Sequence, residues 1–212
     1  MGCASGEALG SRGARSLVIR VVLRALPQEN AGQAFHGGEG EVSEELNVRR
    51  LRVEDTASLV SLRREALEVD PLAFGASIDD DRGLSPELVR ASLADHEEQA
   101  VFGCLEGDRL VGMVGVIRAS KVKQRHLGSV WGMYVTPRAR SRGAGRALLD
   151  AAIQQARTWG LAQLQLGVTE TASTAQRLYE RAGFRAWGRQ PRALHWRGRF
   201  VDEHHLVLEL EA

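Results

Sequence analysis

The stretch Arg140-Ser141-Arg142-Gly143-Ala144-Gly145-Arg146 holds the residue types of this 212-residue chain best suited to holding an anion. It follows Val130-Trp-Gly-Met-Tyr-Val135, an apolar and aromatic run rich in strand formers, and Pro137 closes that run because it cannot donate to a ladder. From Gly145 onward Leu148, Leu149, Ala152, Ala156 and Trp159 recur at three- and four-residue spacing, which predicts an amphipathic helix of about four turns ending near Gly160. A helix start leaves backbone N–H groups without intrahelical acceptors and carries roughly half a positive charge, so the loop is a ready anion site. Gly143 and Gly145 let a phosphate approach bare backbone, and Arg140, Arg142 and Arg146 ring the loop with positive charge. A diphosphate suits these features. The loop lacks the Gly-Lys-Ser/Thr ending of a triphosphate loop, and Leu148 stands where a dinucleotide fingerprint wants its third glycine or alanine. The plain alternative is a basic strand-to-helix turn.

A second stretch adds to the first. In Ala172-Ser-Thr-Ala175-Gln-Arg-Leu178-Tyr179-Glu180-Arg-Ala-Gly183-Phe184, the residues Ala175, Leu178, Tyr179 and Ala182 fall on one helical stripe, and Gly183 supplies a left-handed cap before Phe184. The pattern Arg-x-x-Gly-x-Gly after Val-x-Pro, followed by A-x-x-L-Y-E-x-x-G-F, resembles the two signatures of the GCN5-related N-acetyltransferase (GNAT) family. The resemblance spans about 47 to 211 and leaves the first 46 residues uncovered.

What this resemblance implies is specific. The fold is a mixed α+β one, with a central, mostly antiparallel mixed sheet flanked by helices and splayed beside the strand that precedes the glycine loop. The cosubstrate is acetyl-coenzyme A. Its pantetheine arm is expected along Met133, Tyr134 and Val135, and its diphosphate on Arg140, Ser141, Arg142, Gly143, Ala144, Gly145 and Arg146. Tyr179 matches the tyrosine that protonates the departing thiolate in many members, a role that a phenol protonated at neutral pH can fill. Ala172 departs from the pattern, since many relatives carry asparagine there; its contact with the arm is expected to be missing or to be supplied by Thr171 or Ser173. The implied activity is transfer of an acetyl group to a primary amine, on a small molecule or a protein, by direct attack in a ternary complex. A non-catalytic acyl-CoA sensor or interaction module on the same fold is the alternative.

An amine must lose a proton to attack a thioester, so a base or a water chain is needed near the strand ends. Glu170, just past a strand expected at Leu164–Val168, is the first candidate, although a plain loop glutamate would look the same. Asp202-Glu203-His204-His205 reads as a solvated turn entering the last strand, within reach of the acceptor side. Adjacent histidines on a strand point to opposite faces, so the pair is no metal site, and no metal is expected. Asp79-Asp80-Asp81 lies on the loop that the resemblance sets beside the acceptor pocket, where it could draw in a cationic amine; a solvated charge run is the plainer reading. Trp131, Tyr134, Trp187 and Trp196 are expected in the core or the pocket wall.

The elements needed to position these residues follow in order. A strand is expected at Asn47–Val53, a helix capped by Asp55 or Thr56 and stopped by Asp70-Pro71, and a second helix from Ser85-Pro86 to about Ala94. Ala100–Leu105 and Arg109–Ile117 form a hairpin around Glu106-Gly107-Asp108. The central strand and its helix come next, then the strand Leu164–Val168, the helix Ser173–Ala182, strand pieces Phe184–Trp187 and Ala193–Trp196, and a terminal strand His204–Leu210. Residues 1–46 read as a weakly ordered extension with a glycine-acidic linker, and residues 47–212 as the N-acetyltransferase domain.

Composition sets the remaining bounds. With 28 Lys and Arg against 27 Asp and Glu the chain is near neutral, which argues against a nucleic-acid partner. Cys3 and Cys104 are too far apart for a zinc or redox motif, which fits a reducing, cytoplasmic setting. No run nears the ~18 apolar residues of a membrane span. The expected partner is an amine acceptor, and the expected state a monomer or homodimer.

Overall fold

The structure, a computed structural model, describes residues 19–20, 45–94 and 97–210. Among them one sheet contains β1 (Ile19–Arg20), β2 (Leu46–Arg50), β3 (Gln99–Glu106), β4 (Arg109–Arg118), β5 (Leu127–Val135), β6 (Gln163–Thr169), β7 (Arg185–Trp196) and β8 (Arg199–Glu209), in the order β1-β2-β3-β4-β5-β6-β8-β7. Neighbours are antiparallel except β5 and β6, which run parallel. The helices are α1 (Thr56–Val69), α2 (Pro86–Ala94), α3 (Ala144–Thr158) and α4 (Ser173–Arg181). This is the mixed, mostly antiparallel sheet with flanking helices that the resemblance implies.

The sheet is covered on both faces, which explains the unbroken apolar runs of β3 and β4. On one face α3 lays Leu148, Leu149, Ala152 and Ala156 against Phe102, Val114, Val116 and Leu164, and Tyr179 and Phe184 extend the same cluster. Alanines on the buried stripe of α3 let the helix lie close to the strands. On the other face Leu59, Leu62 and Ala66 of α1 and Val89 and Leu93 of α2 pack on Val101, Met113 and Tyr134. Tyr134 and its neighbours Met133 and Val135 thus look to opposite sides, as strand alternation requires.

The strands differ from the sequence reading at the C-terminal end. The expected pieces Phe184–Trp187, from Arg185 onward, and Ala193–Trp196 belong to the single long strand β7, whose register against β8 slips twice, between Ala186 and Gly188 and between Gln190 and Leu194. Pro191 is tolerated there because β7 is an edge strand. β8 begins at Arg199, so Asp202 to His205 lie inside a paired strand, where a solvated turn was expected; long cross-strand pairing with β6 and β7 overrides their polarity. Trp131 and Trp187 are exposed and lie outside the core, and Trp187 takes the other expected place, in the wall of a cavity.

At the other end β2 starts at Leu46, one residue before the expected boundary, and Ile19 and Arg20 pair with Val48 and Asn47. The remainder of the extension up to residue 44 lies outside the described residues. Among the described residues no helix is long and apolar enough to cross a membrane.

Candidate active site

The parallel pair β5–β6 is joined only at its beginning. Leu127, Gly128 and Ser129 face Gln163, Leu164 and Gln165, and beyond them Val130–Val135 and Leu166–Thr169 part. Two features bend β5 away: a register slip against β4 between Met113 and Gly115, and Gly132 at φ 63°, a left-handed conformation that a β-carbon would strain. The N–H of Thr136 donates to Val111 on the β4 side (2.9 Å), so by alternation Tyr134 turns its backbone groups to β4, and Met133 and Val135 turn theirs to the gap. One of these is already engaged, because Arg140 Nε donates to the Val135 carbonyl at 2.9 Å.

At the mouth of the gap the chain turns from β5 into α3. Ser141 (φ 61°) and Gly143 (φ 82°) are both left-handed, which curls the loop so that successive N–H groups face one concavity. Holding serine there costs roughly 1 kcal/mol. No side chain caps α3, and its first backbone bond runs from Ala147 N–H to the Gly143 carbonyl, so the N–H groups of Ala144, Gly145 and Arg146 have no acceptor in the helix. A β-carbon on Gly145 would stand 3.3 Å from Leu178 Cδ2 and 3.7 Å from Met133 Cε. The cradle is therefore narrow as well as uncapped, which fits a phosphate held by bare backbone.

Each loop arginine has a carboxylate partner. Arg140 pairs with Asp70 at the end of α1 and lies 5.6 Å over the Tyr134 ring; Arg142 pairs with Glu106 on β3; Arg146 bonds both Asp150 oxygens at 2.9 Å, one turn along α3. The arginines anchor the loop to α1, β3 and α3, and the uncompensated positive end of α3 is left to the backbone.

Tyr179 sits in α4 with its ring edge-on to Phe184 at 5.9 Å. It is 5 % exposed, and burial pushes its phenol up to about 12, so it keeps its proton at neutral pH. Ala172, at the cap of α4, offers that helix no side-chain bond. Thr171 is occupied with Thr169 (Oγ1 to Oγ1, 3.1 Å), while Ser173 is exposed at the first position of the helix. Tyr134 faces away from the gap, where its hydroxyl donates to Glu65 at 3.0 Å; burial and that carboxylate raise its pKa.

Glu170 is exposed beyond the end of β6. Its N–H donates to the Asp202 carbonyl at 3.0 Å and its carboxylate accepts from the Asp202 N–H at 3.4 Å, so it ties β6 to β8. In the aspartate run, Asp81 pairs with Arg63 at 2.6 Å and accepts from the Gly83 N–H, and Asp80 accepts from the Ser77 N–H at 2.6 Å. Those two build the loop between α1 and α2. Cys104 is wholly buried and its thiol is pushed up to about 11 by burial, which leaves it a core residue.

A strand pair parted beside an uncapped helix start is the arrangement implied by the two signatures. Residues 62–184 match the sequence profile of the acetyltransferase (GNAT) family. The chain belongs to that family. A GNAT-family acetyltransferase from Streptococcus pneumoniae superposes with a TM-score of 0.71 at 27% identity, covering 78% of this chain and 100% of that one. The structure of yncA from Salmonella typhimurium with its cofactor acetyl-CoA, 21% identical, superposes at 0.70 over 79% of this chain and 95% of its own, which speaks for the GNAT fold. Among curated relatives, the mycothiol acetyltransferase of Geodermatophilus obscurus is 28% identical over 86% of this chain and 71% of its own length. Three more of that name match over only 18–21% of their length. This GNAT member is thus an acyltransferase enzyme.

The sequence reads Glu203 and His205 only as part of a solvated turn within reach of the acceptor side, and the structure makes them a pair near the gap. Glu203 and His205 stand two apart in β8, on the face that carries Gly167 of β6. The alternation Val201-x-Glu203-x-His205 within a long strand was the available signal, masked by four consecutive polar residues.

Proposed function

We propose that the chain moves an acetyl group from acetyl-CoA to a primary amine by direct attack within a ternary complex, and that residues 47–212 carry this activity. The observation that carries the reading is the gap between β5 and β6 beside the uncapped start of α3. Backbone groups of Met133 and Val135 face that gap, and the N–H groups of 143–146 surround a narrow cradle. These suit, respectively, an extended amide-bearing arm and a diphosphate, the two recognisable parts of coenzyme A. Support for acetyl comes from the names of the relatives and from the acetyl-CoA in the Salmonella typhimurium structure.

Within this reading Tyr179 holds the proton that the departing sulfur takes up. Its depth keeps the phenol neutral, and its side chain makes no hydrogen bond to another described residue that would compete for that proton. Direct attack, without an acyl-enzyme, agrees with the burial of Cys104, which removes the one described thiol as a nucleophile. The test is calorimetric titration with acetyl-CoA, followed by acetyl transfer to a panel of primary amines. Micromolar binding and acetylated product are expected; binding without product on any amine would favour the sensor, and no binding would remove the reading altogether.

A further inference from the structure

On the sheet face opposite α3 and α4, a cavity of about 200 Å3 opens where β5 and β6 part. Ser129, Gln165, Gly167, Trp187 and His205 are among its walls. The register brings them together: Ser129 lies opposite Gln165, and Gly167 opposite His205. Leu164, Leu166 and Val168 turn toward α3, so Gln165 and Gly167 turn to the cavity. Glu203 lies across Gly167 so closely that a β-carbon there would meet its Oε1 at 2.4 Å. That carboxylate is 3.7 Å from His205 Nδ1, an ion-pair distance once the ring is protonated. Trp187 is the extra residue of a bulge, since Ala186 faces Leu206 and Gly188 faces His205. The bulge re-aims its ring to 5.6 Å from the imidazole.

We propose that His205 is the general base of the transfer, that Glu203 positions it, and that the cavity receives the acceptor as a primary ammonium group on a slender stem. This rests on the acetyl-CoA-dependent reading above. Placement is the first argument: Tyr179 lies on the α3 and α4 side and His205 on the other, so a proton donor and a proton acceptor address one gap from its two faces. Charge is the second, because Glu203 and the Trp187 ring both draw a cation into the cavity. Competition is the third. One Glu170 oxygen is engaged by the Asp202 N–H outside the cavity, whereas His205 lines the cavity with Nδ1 3.7 Å from Glu203.

The proton count closes. The ammonium first releases one proton through His205 to solvent. The neutral nitrogen then bonds the thioester carbonyl carbon, His205 takes a second proton from that nitrogen, and the C–S bond breaks. The sulfur leaves with the phenolic proton of Tyr179, which solvent replaces. Amide, free thiol and one net proton result. Glu203 offsets the positive charge that His205 carries between these steps.

The test uses the full chain, saturating acetyl-CoA and, as acceptor, the best primary aliphatic amine of a panel that includes benzylamine. His205→Gln should slow single-turnover acetylation by about 10²–10⁴ while acetyl-CoA affinity and melting temperature hold. Free imidazole should restore part of the rate in His205→Ala, which a merely structural histidine would not allow. Glu203→Gln, which keeps its shape over Gly167, should lower kcat by about tenfold without changing KM for acetyl-CoA. His195→Gln, at the far end of the β7–β8 hairpin, should match wild type. An active wild type with an equally active His205→Gln overturns this assignment alone. A wild type that acetylates no amine overturns the function reading and this one with it. Should His205→Gln not fold, Glu203→Gln decides, and an unchanged kcat there overturns the pair.

Discussion

The two sides of the β5–β6 gap are built by opposite means. On the α3 side the cradle comes from seven consecutive residues, Arg140 to Arg146, and what it offers is mostly backbone N–H; side chains matter there chiefly by their absence at Gly143 and Gly145. On the other side the cavity draws Ser129, Gln165, Trp187 and His205 from four strands, and what it offers is side chains. A local, backbone-made site tolerates change in everything except the turn and the missing β-carbons. A site assembled from distant strands depends on register, so one slipped residue at Trp187 decides which ring faces the cavity.

The largest expected effect on acetyl-CoA binding strikes the α3 side alone. Gly145→Glu puts a carboxylate where the uncapped N–H groups converge and presses a β-carbon to 3.3 Å from Leu178. Acetyl-CoA affinity should fall more than about a hundredfold, by bulk and by like charge against the diphosphate. Calorimetry that finds the affinity unchanged would erase the contrast between the two sides.

Tyr179→Phe comes next and probes the α4 flank of the gap. Turnover should drop by roughly 10²–10⁴, the usual worth of a positioned acid, with acetyl-CoA affinity unchanged. Stability should hold at neutral pH, because the hydroxyl makes no hydrogen bond to a described residue. Burial raises the folded phenol from its ordinary value near 10 to about 12. The neutral phenol thus favours the folded state fully below pH 10, and that contribution is lost as pH rises through about 12. Wild type should therefore lose stability relative to Tyr179→Phe over that window, measured by chemical unfolding at stepped pH. A variant that is fully active but less stable at pH 7 would make the hydroxyl structural.

The smallest expected effect on the gap sharpens the comparison from the α1–α2 side. Arg63 and Asp81 pair with side chains only 13% and 6% exposed, and Arg63 lies 4.4 Å over the Phe74 ring. Arg63→Ala leaves the aspartate buried without its cation and should cost about 3 kcal/mol of stability. Acetyl-CoA affinity should stay within about twofold of wild type, since the pair lies across the sheet from α3. Urea unfolding and calorimetry on the same sample check both halves; a matching loss of affinity would show that the two faces are coupled.

Legibility in the sequence followed the same division. The glycine loop, the helix after it and the Leu178-Tyr179…Gly183-Phe184 ending could be read because each is set by local rules: a helix start, a left-handed glycine cap, a stripe every three or four residues. α2 was read from Ser85-Pro86 down to its last residue for the same reason. The fate of charge could not be read. Arg140, Arg142 and Arg146 look like three phosphate ligands in the sequence, yet they find Asp70, Glu106 and Asp150, two of them far away along the chain. Likewise Asp79–Asp81 looks like a cation lure, and the fold spends Asp80 and Asp81 on its own loop.

What the sequence by itself determined is the set of local conformations, the family, and hence the mixed sheet with its gap, because turn chemistry and apolar period act over a few residues. Only the tertiary structure decided which side chains meet across that gap. Pairing β8 with β6 placed Glu203 over Gly167 and His205 beside Trp187, and strand register is fixed by packing over the whole sheet, which no short stretch of sequence contains.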